Sequence, residues 1–564
     1  MQTTDHATNR TSDQTTNQTT NQATNQTTFE GPPVEDEPGM GPLTLGALLS
    51  CVAERHGPRE ALCFHERDGT ALRWTYSELE TQARLVARGL VAAGASKGTR
   101  VALLMGNRPD WVAAAFGVAL AGGVLVPVNT LFELPEIEHV LKHSGAALLL
   151  YQARLGRHDY RGALARLEGS LPYLNQHFCL GTPELQEFLE AGDDVDAKTL
   201  EGRARGVSPH DDAIVIYTSG TTERPKGVLH SHRAPAIQSW RFACQLCLDP
   251  TVRVWSAFPF FWSAGFCMVM GATLAAGGCL VLQEIFEPGE ALELIESERV
   301  TSPHAWTHQL AALEAHPDWA TRDLSSVRHV ESFSSFGRHP SVRVDGAWSP
   351  RAAYGLTETF TIVSSLPANT PDHEREGHEG QILPGNSVRI VDGTGAAQGT
   401  GVLGEIRVKG PTLMKEYLGV AKEETFDVDG FFATGDAGFV DDQNRLHWAG
   451  RTNGLIKTGG ANVSPVEIEN ELLRHPDLSR ALAVGVPDAV LGEVVVVCAV
   501  AQPGRPIDEE DLRQWLRGRI ASYKVPRRVL FFDDEDLVET GNSKVRVDEL
   551  RELAISRLAG EDRK

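Results

Sequence analysis

The sequence predicts an α/β fold, and two observations lead to this prediction. Between Trp74 and Leu150, segments with the pattern of strands alternate with segments that have the pattern of helices. A second alternation of the same kind runs from Gly271 to Glu298. Such alternation is typical of strand–helix–strand units, whose strands lie parallel in one sheet. With 564 residues, 41% of them hydrophobic, the chain is long enough to bury the cores of several domains.

The elements of the first alternation follow from local patterns. Trp74 and Thr75 indicate the end of a strand, and Ser77 is expected to cap the helix that follows. Apolar residues recur at helical spacing along this helix and give it one buried face. Three more elements are then predicted, namely a strand over residues 98–105, a buried helix over 111–120 and a strand over 122–129.

The later elements are predicted in the same way. The second alternation gives a helix over residues 271–276, a strand over 279–282 and an amphipathic helix over 288–298. Near residues 449–452 a glycine-rich stretch gives way to a new α+β pattern, which marks a domain boundary. Beyond it we expect a capped helix opening at residues 463–469, strands over 482–486 and 494–500, and a helix over 510–520.

These patterns divide the chain into three parts. Residues 1–28 consist almost entirely of Thr, Asn, Gln, Asp and Ala, which cannot bury an apolar face. Residues 31–42 are rich in Pro, Gly and acidic side chains. We therefore predict a disordered tail and linker over residues 1–42, a large domain over 43–449 and a small C-terminal domain over 450–564.

Composition and charge argue against several classes of function. The formal net charge is −22, so nucleic acid would be repelled except at a local basic patch. No apolar run has the length of a membrane span, and the N-terminus lacks the apolar core of a signal peptide. The eight cysteines are scattered and form no metal-ligand spacing with a matching partner. A cytoplasmic protein with no structural metal, no nucleic-acid partner and no membrane span is therefore expected.

The most informative stretch lies between Ile214 and Val228. It begins as a buried strand and then becomes a run of small and polar residues that ends at Lys226. Hydroxyl and backbone N–H groups donate hydrogen bonds to phosphate, and a lysine adds a positive charge, so the composition fits a phosphate-binding loop. The lysine precedes its glycine, which excludes a Walker A loop. A polar loop at a sheet edge is the alternative. The predicted phosphate-binding residues are Thr218, Ser219, Gly220, Thr221, Thr222 and Lys226.

This stretch resembles the nucleotide-binding signature of the adenylate-forming superfamily, which includes acyl-CoA synthetases, the adenylation domains of peptide synthetases, and luciferases. Further motifs of that family follow in the same order, at residues 354–358, 432–436, 450–457 and 538–544, and the resemblance extends from near residue 43 to near residue 550. It implies a large N-terminal domain of stacked α/β sheets with a small β-barrel part, followed by a small mobile α+β C-terminal domain.

The resemblance also implies a reaction, in which a carboxylic acid attacks ATP to give an acyl-adenylate and pyrophosphate. The phosphate loop would hold the β- and γ-phosphates, Thr357 would bind the α-phosphate, and Glu358 would hold Mg²⁺. Tyr354 would lie near the adenine, Asp436 would bind the ribose, and Arg451 the ribose or a phosphate. Lys544 would bridge the carboxylate and the α-phosphate.

A second step, the formation of a thioester with CoA, is implied as well. The small domain would rotate about a hinge that includes Gly454 and would bring Lys457, Gly459 and Gly460 towards the incoming thiol. Two alternatives are transfer of the acyl-adenylate to a carrier protein and transfer to a separate thiolating partner. A sensor without activity would be expected to lack Lys544 or Glu358, and both are present. A luciferase-type oxidation is a further alternative that no motif here favours.

The chain departs from the family pattern in several places. Glu223 replaces a loop glycine, Gly454 replaces an Asp or Lys at the hinge, and Trp262 replaces a His found in many acyl-CoA synthetases. Two further changes are Ser334-Ser335-Phe336 in place of a turn of the Gly-Gly-Ala type and Ser543 in place of the glycine before Lys544. The hinge and Trp262 bear mainly on the thiol step.

Aromatic residues suggest the nature of the acid. We expect a pocket for a bulky hydrophobic acid formed by Phe260, Trp262, Phe333, Phe336 and Gly355. The alternative is that several of these aromatic residues fill the protein core. The sequence does not decide between a monomer and a dimer.

Overall fold

The computed structural model describes residues 27–66, 69–218, 225–344, 346, 348–451, 455–502, 504–532 and 547–561. Within these residues the predicted α/β fold is confirmed, with two mainly parallel sheets, smaller antiparallel sheets and a C-terminal α+β unit.

The larger α/β sheet has seven strands among the described residues, and four of its neighbouring pairs are parallel. Its central strands are short apolar runs that are buried on both faces, as expected for a parallel sheet covered by helices. Across the sheet the strands are Glu416–Tyr417, Lys226–Ser231, Asp212–Thr218, Val124–Pro127, Arg100–Leu104, Leu148–Tyr151 and Gln176–Cys179.

The second α/β sheet has five strands in the described part of the chain. Four of them run parallel, and the strand at one edge returns antiparallel to its neighbour. In spatial order the strands are Ser302–His304, Arg253–Ser256, Cys279–Leu282, Glu60–His65 and Ala71–Thr75.

Helices lie between and around these two sheets. Apart from Asp110, the helix Pro109–Ala121 consists of apolar residues and glycine, and these are buried in a core that also contains residues of both sheets. The neighbouring helix Tyr76–Ala92 begins at a capping box of Thr75 and Glu78, so the expectation that Ser77 caps it is wrong. The other helices of the large domain are Leu45–His56, Leu134–Ser144, Tyr160–Arg166, Pro183–Ala191, Ala197–Arg205, Arg233–Gln245, Ala272–Ala275, Pro288–Ser297, Thr307–Glu314, Asp372–Arg375 and Lys422–Thr425, together with a π-helix over Ala264–Gly271.

Antiparallel strands complete the large domain and correspond to the predicted β-barrel part. Three strands form a small sheet, and five form a larger one that ends beside the C-terminal unit. The small sheet contains Ala353–Leu356, Thr361–Ser365 and Gln381–Ile382. The larger sheet contains Phe29–Glu30, Ser387–Val391, Gly404–Lys409, Phe432–Val440 and Leu446–Arg451. A two-stranded hairpin lies elsewhere, at Arg154–Leu155 and His158–Asp159.

The segment predicted as a linker packs against the large domain. Phe29–Glu30 pairs with Ser387–Val391 as a sheet strand. Arg241 Nε and Nη2 each donate to a carboxylate oxygen of Glu37 over 2.7 Å, and both side chains are buried. The indole of Trp240 donates to the carbonyl of Pro42. The proline- and acid-rich composition of residues 31–42 gave no sign of these contacts, because the partners lie some two hundred positions away.

The C-terminal unit is an antiparallel sheet with one parallel edge strand and helices on both faces. The strand Gly492–Ala501 contains a continuous apolar run, and its side chains alternate between two cores on opposite faces of the sheet. The other strands are Ile456–Thr458, Ala461–Val463, Leu478–Asp488 and Arg528–Phe531. The helices are Pro465–Leu472, Glu509–Leu516 and Val547–Glu561. The helix predicted over 510–520 therefore ends four residues early, before the turn at Gly518.

Candidate active site

A cavity of about 480 Å³ lies between the large domain and the C-terminal unit. The strand Asp212–Thr218 of the larger sheet ends at this cavity, a position where α/β proteins commonly bind ligands. The helix Arg233–Gln245 and the hairpin formed by Ala353–Leu356 and Thr361–Ser365 supply further walls. Gly460, Ala461 and Tyr523 close the cavity from the C-terminal unit.

The walls of this cavity are mainly apolar. No acidic or basic side chain lines it within the described part of the chain. The apolar lining consists of Phe132, Phe242, Leu246, Trp262, Ala264, Met268, Trp306, Pro350, Ala353, Leu356, Ile362, Leu366 and Ala461. The polar lining is formed by Asn129, Tyr217, Thr218, Gln245, Ser263, Thr357, Thr361, Ser365 and Tyr523. Such a site suits a largely apolar molecule that is oriented by a few hydrogen bonds.

The predicted phosphate loop connects two antiparallel strands. Thr218 lines the cavity and is the register partner of Lys226 on the returning strand. Ser219, Gly220, Thr221, Thr222 and Glu223 lie outside the described residues. The ammonium of Lys226 lies 5.2 Å from the ring centroid of Tyr417, on the strand that pairs with that of Lys226. Lys226 is therefore held by a cation–π contact beside the end of the loop.

Thr357 and Glu358 occupy a short helical turn beside the cavity. Thr357 lines the cavity, and its carbonyl accepts a hydrogen bond from Nε2 of the buried His230 over 2.9 Å. Burial lowers the pKa of His230 to about 3, so its imidazole is neutral. The hydroxyl of Tyr417 donates to Oε1 of Glu358 over 2.5 Å. Tyr417 therefore contacts both Lys226 and Glu358, the cation and the anion predicted to act on phosphate and Mg²⁺.

The chemistry of Glu358 fits the Mg²⁺ that the family implies. Its side chain is half-buried, and Oε2 accepts no hydrogen bond from the described residues. Mg²⁺ in nucleotide sites is commonly held by one or two carboxylates together with substrate phosphates. One carboxylate oxygen beside the phosphate-loop strands matches that pattern.

The two residues predicted to bind adenosine contact each other. The hydroxyl of Tyr354 donates to Oδ2 of Asp436 over 2.7 Å, and both side chains are buried. Arg451 is the register partner of Asp436 on the next strand, and its side chain lies outside the described residues. Gly454 and Lys544 also lie outside the described residues.

The aromatic residues predicted to form the acid pocket separate into two groups. Trp262 and Gly355 line the cavity. Phe260, Phe333 and Phe336 do not. Phe260 packs on Trp111 with ring centroids 5.3 Å apart, and Phe336 packs on Trp319 in a separate core. Phe333 is 47% exposed and lies under the guanidinium of Arg351.

A second cavity, of about 310 Å³, shares Trp262, Trp306, Ala461 and Tyr523 with the first. It lies between the large domain and the C-terminal unit, with Gly459 in its wall. Gly460 has a φ of +84°, and a Cβ there would lie 2.7 Å from the ring of Trp306. Glycine is therefore required at position 460 both for its backbone conformation and for its close approach to the large domain. The Lys457 side chain lines neither of these two cavities, and its Nζ lies 5.2 Å from the ring centroid of Trp448.

A basic cleft of about 250 Å³ shares Ser522, Val525 and Arg527 with the second cavity. Four guanidinium groups line it, while Glu133 in the cleft and Glu510 beside it balance part of the charge. The arginines are Arg157, Arg513, Arg517 and Arg527. The cleft is thus a local basic patch on a strongly acidic protein.

Several residues of the site were missed by sequence reasoning. Gln245, Trp306 and Tyr523 line the cavity, and His230 supports Thr357. Thr361 lies on the cavity wall with a φ of +98°, a strained conformation for a β-branched residue. Helical periodicity does not distinguish a cavity-facing Gln from an exposed one, and no local pattern predicts a positive φ at a threonine. No pattern in the sequence assigned Tyr523 to the site.

Comparisons with known proteins agree with this arrangement. The family model of the AMP-binding enzyme matches residues 50–418, and that of the AMP-binding enzyme C-terminal domain matches residues 467–544. A feruloyl-CoA synthase from an Amycolatopsis species is 35% identical over 491 residues, which cover 86% of this chain and 94% of the relative. An indoleacetate–CoA ligase from Aromatoleum aromaticum is 32% identical over 524 residues, covering 90% of this chain and 98% of the relative.

A solved structure is similar over nearly the whole chain. The amide bond synthetase McbA from Marinactinospora thermotolerans superposes with a TM-score of 0.71 at 26% identity, covering 90% of this chain and 99% of that chain.

None of the described helices combines the length and the apolar composition that crossing a bilayer requires. The two family matches together span most of both domains, and the chain therefore belongs to the AMP-binding enzyme family of adenylate-forming proteins.

Proposed function

We propose that this protein is an AMP-forming acyl-CoA synthetase. It activates a bulky hydrophobic carboxylic acid with ATP and then transfers the acyl group to the thiol of CoA. The observation that carries the proposal is the cavity in which an uncharged, largely apolar wall meets Thr218 and Thr357, next to Lys226, Tyr417 and Glu358. The names of the two relatives, each of which pairs an acid with CoA, support the same reaction.

In the first step, a carboxylate oxygen of the acid attacks the α-phosphorus of ATP, and the bond from that phosphorus to pyrophosphate breaks. Thr218 and Thr357 donate hydroxyl hydrogen bonds to phosphate oxygens, and Lys226 offsets phosphate charge. Mg²⁺, held by Glu358, would neutralise further phosphate charge. Neutral His230 holds the Thr357 carbonyl and so fixes the turn that carries Thr357 and Glu358. Lys544, by its place in the family motif, would bridge the two reacting anions.

In the second step, the thiol releases its proton, its sulfur attacks the acyl carbon, and the bond from that carbon to the phosphate oxygen breaks so that AMP leaves. The second cavity offers a route to that carbon because it shares Trp262 and Tyr523 with the first and passes Gly459. The basic cleft beyond it supports CoA as the thiol, because guanidinium groups bind phosphates and CoA carries several. The proposal includes a rotation of residues 450–564 about Gly454, which the family pattern implies.

The apolar cavity supports a bulky hydrophobic acid. An amino acid or a dicarboxylate would place a second charge against walls that hold no charged partner among the described residues. The eight cysteines are all free, which supports a reducing compartment such as the cytoplasm.

A direct test measures pyrophosphate release with ATP and Mg²⁺ across aliphatic, aromatic and polycyclic acids. We expect turnover with one or more of the bulky acids and little with acetate or free amino acids. The same mixtures with CoA are then analysed by mass spectrometry for acyl-adenylate and acyl-CoA. No pyrophosphate with any acid would refute the proposal.

Accumulation of acyl-adenylate without acyl-CoA would instead favour transfer to a carrier protein or to a separate thiolating partner. Trp262, which stands between the first two cavities, is the specific feature that favours this second candidate. Its indole donates a hydrogen bond and cannot accept a proton. The variant Trp262→His would then be expected to restore some thioester.

A further inference from the structure

The interface between the large domain and the C-terminal unit contains a buried ammonium group. Lys524, at the end of a short helical turn of the C-terminal unit, has a side chain with no exposed surface. Its Nζ lies 2.8 Å from Oε1 of Glu136 and 2.7 Å from Oε1 of Glu467. Glu467 belongs to the same unit, whereas Glu136 lies on the helix Leu134–Ser144 of the large domain. The contact with Glu136 therefore crosses the interface.

We propose that Lys524 is a positioning residue for the thiol step. It holds the C-terminal unit in the docked arrangement that forms the second cavity, through which the thiol reaches the acyl carbon (the thiol route). This inference rests on the proposed two-step function. Lys524 acts through Glu136 and through its neighbour Tyr523, and it does not itself line either of the two connected cavities.

Because the ion pair is buried, breaking it is energetically costly. A charged ammonium inside a protein is tolerated only when it is paired, and the loss of one partner of a buried pair is strongly destabilising. The ring of Phe132 on the large domain lies 5.1 Å from Nζ and adds a cation–π contact. Separation of the two domains would remove both Glu136 and Phe132 from Lys524 at once.

The contact sits where it can control the thiol route. Tyr523 lines the first and the second cavity, and Phe132 lines the first. On the same interface, Gly459 and Gly460 face His308 and Trp306, and a Cβ at Gly460 would lie only 2.7 Å from the ring of Trp306. The second cavity therefore exists only while the C-terminal unit is docked in this position.

Apart from Lys544, which belongs by its position in the sequence to the C-terminal domain, the groups proposed for the first step are placed differently. Thr218, Lys226, Thr357 and Glu358 all lie on strands and turns of the large domain, and their contacts with Tyr417 and His230 lie within that domain as well. Loss of the Lys524 contact leaves these groups in place. The inference thus predicts a selective defect in the second step.

The test compares Glu136→Ala and Lys524→Met with the wild-type enzyme. The matched control is Glu138→Ala, which removes a neighbouring carboxylate of the same helix that pairs with Lys142 on the surface. Pyrophosphate release measures the first step. Single-turnover thioester formation from synthetic acyl-adenylate and CoA measures the second step. Hydrogen exchange of the peptides containing residues 134–144 and 456–463 measures docking directly.

We expect both interface variants to keep pyrophosphate release within about threefold while thioester formation falls at least about tenfold. Protection from exchange should fall on both sides of the interface, and Glu138→Ala should behave as wild type. Equal loss of both steps, or no loss of either, would overturn the inference. Glu136→Ala keeps the C-terminal unit unaltered, so misfolding of that unit cannot explain its result.

The failure of the proposed function can be told apart from the failure of this inference. If the wild-type enzyme releases no pyrophosphate with any acid, the proposed function fails. Hydrogen exchange then still decides the interface contact, because reduced protection in Glu136→Ala supports it and unchanged protection refutes it.

Discussion

The hydroxyl of Tyr354 donates a hydrogen bond to Oδ2 of Asp436 over 2.7 Å, although 82 positions separate the two residues. The contact orients one oxygen of the carboxylate that we propose binds the ribose. Removal of the donor in Tyr354→Phe should raise KM for ATP about tenfold, since a hydrogen bond to a charged group contributes about 1.5–3 kcal/mol. The KM for the acid should change little. An unchanged KM for ATP would show that Asp436 does not depend on Tyr354.

Glu358 should be needed for the use of Mg²⁺. The variant Glu358→Gln keeps the shape of the side chain but loses the charge, so pyrophosphate release should fall by about 10²–10³ and require more Mg²⁺. Glu416→Gln is a suitable control, because Glu416 precedes Tyr417 and pairs with Lys422 at the surface. Similar rates for Glu358→Gln and wild type over a Mg²⁺ titration would contradict the assignment.

Lys544 should act only in the first step. Lys544→Ala should reduce pyrophosphate release by about 10²–10³, the cost typical for removal of one donor that stabilises developing charge. Thioester formation from synthetic acyl-adenylate should remain within a few-fold of wild type. Pyrophosphate release within about fivefold of wild type would mean that the family motif was aligned in the wrong register.

The basic cleft should recognise the phosphates of the thiol substrate. The double variant Arg513→Ser/Arg517→Ser should raise KM for CoA by about tenfold or more, since charge-assisted hydrogen bonds to phosphate are lost. The KM for pantetheine, which carries the same thiol without phosphates, should not change. Arg519→Ser serves as a control because Arg519 stacks on Trp515 outside this cleft. A parallel rise for both thiols would refute the assignment.

Docking of the C-terminal unit should weaken as pH rises. Burial raises the pKa of Glu136 from an ordinary 4.5 to about 7 and also raises the pKa of Glu467, although Lys524 opposes both shifts. The docked state therefore holds more protons than the separated state, and docking loses stability as pH rises from about 4.5 to about 7. The other titratable or charged groups around the pair are Tyr523, Glu133, Glu138, His139, Lys142, Glu471, Arg474 and Arg519.

The measurement for this prediction is the thioester rate of wild type divided by that of Glu136→Gln, so that ionisation of the thiol cancels. Between pH 5.5 and 8 the ratio should fall about threefold or more. A ratio that stays flat or rises with pH would contradict the prediction.

Local chemistry and motif order made much of this molecule predictable. An apolar run such as Ile214 to Ile216 indicates a buried strand. The order of the motifs suggested that Tyr354 and Asp436 belong to the same site as Thr357 and Glu358, and Tyr354 contacts Asp436. Whether an aromatic residue lies in the core or lines the cavity depends on the direction of its side chain. Phe260 and Trp262 are two positions apart, yet one packs on Trp111 in the core and the other lines the cavity. Composition alone cannot separate them.

Contacts between distant positions were beyond the reach of sequence patterns. Glu136 and Lys524 are 388 positions apart, and neither carries a local sign of its partner. The helix cap gives a smaller example, since Thr75 and Ser77 are both suitable capping residues, and the strand ends at Thr75 with the helix beginning at the next residue.

The buried pair of Glu37 and Arg241 has a consequence for how this protein can be shortened. Arg241 lies on the helix that also supplies Phe242 and Gln245 to the cavity. A version that starts at residue 43 would leave the guanidinium buried without its carboxylate and would strip a strand from the sheet at Ser387–Val391. Shortened versions made for expression should therefore keep every residue from Phe29 onward, although the composition of this stretch is typical of a dispensable linker.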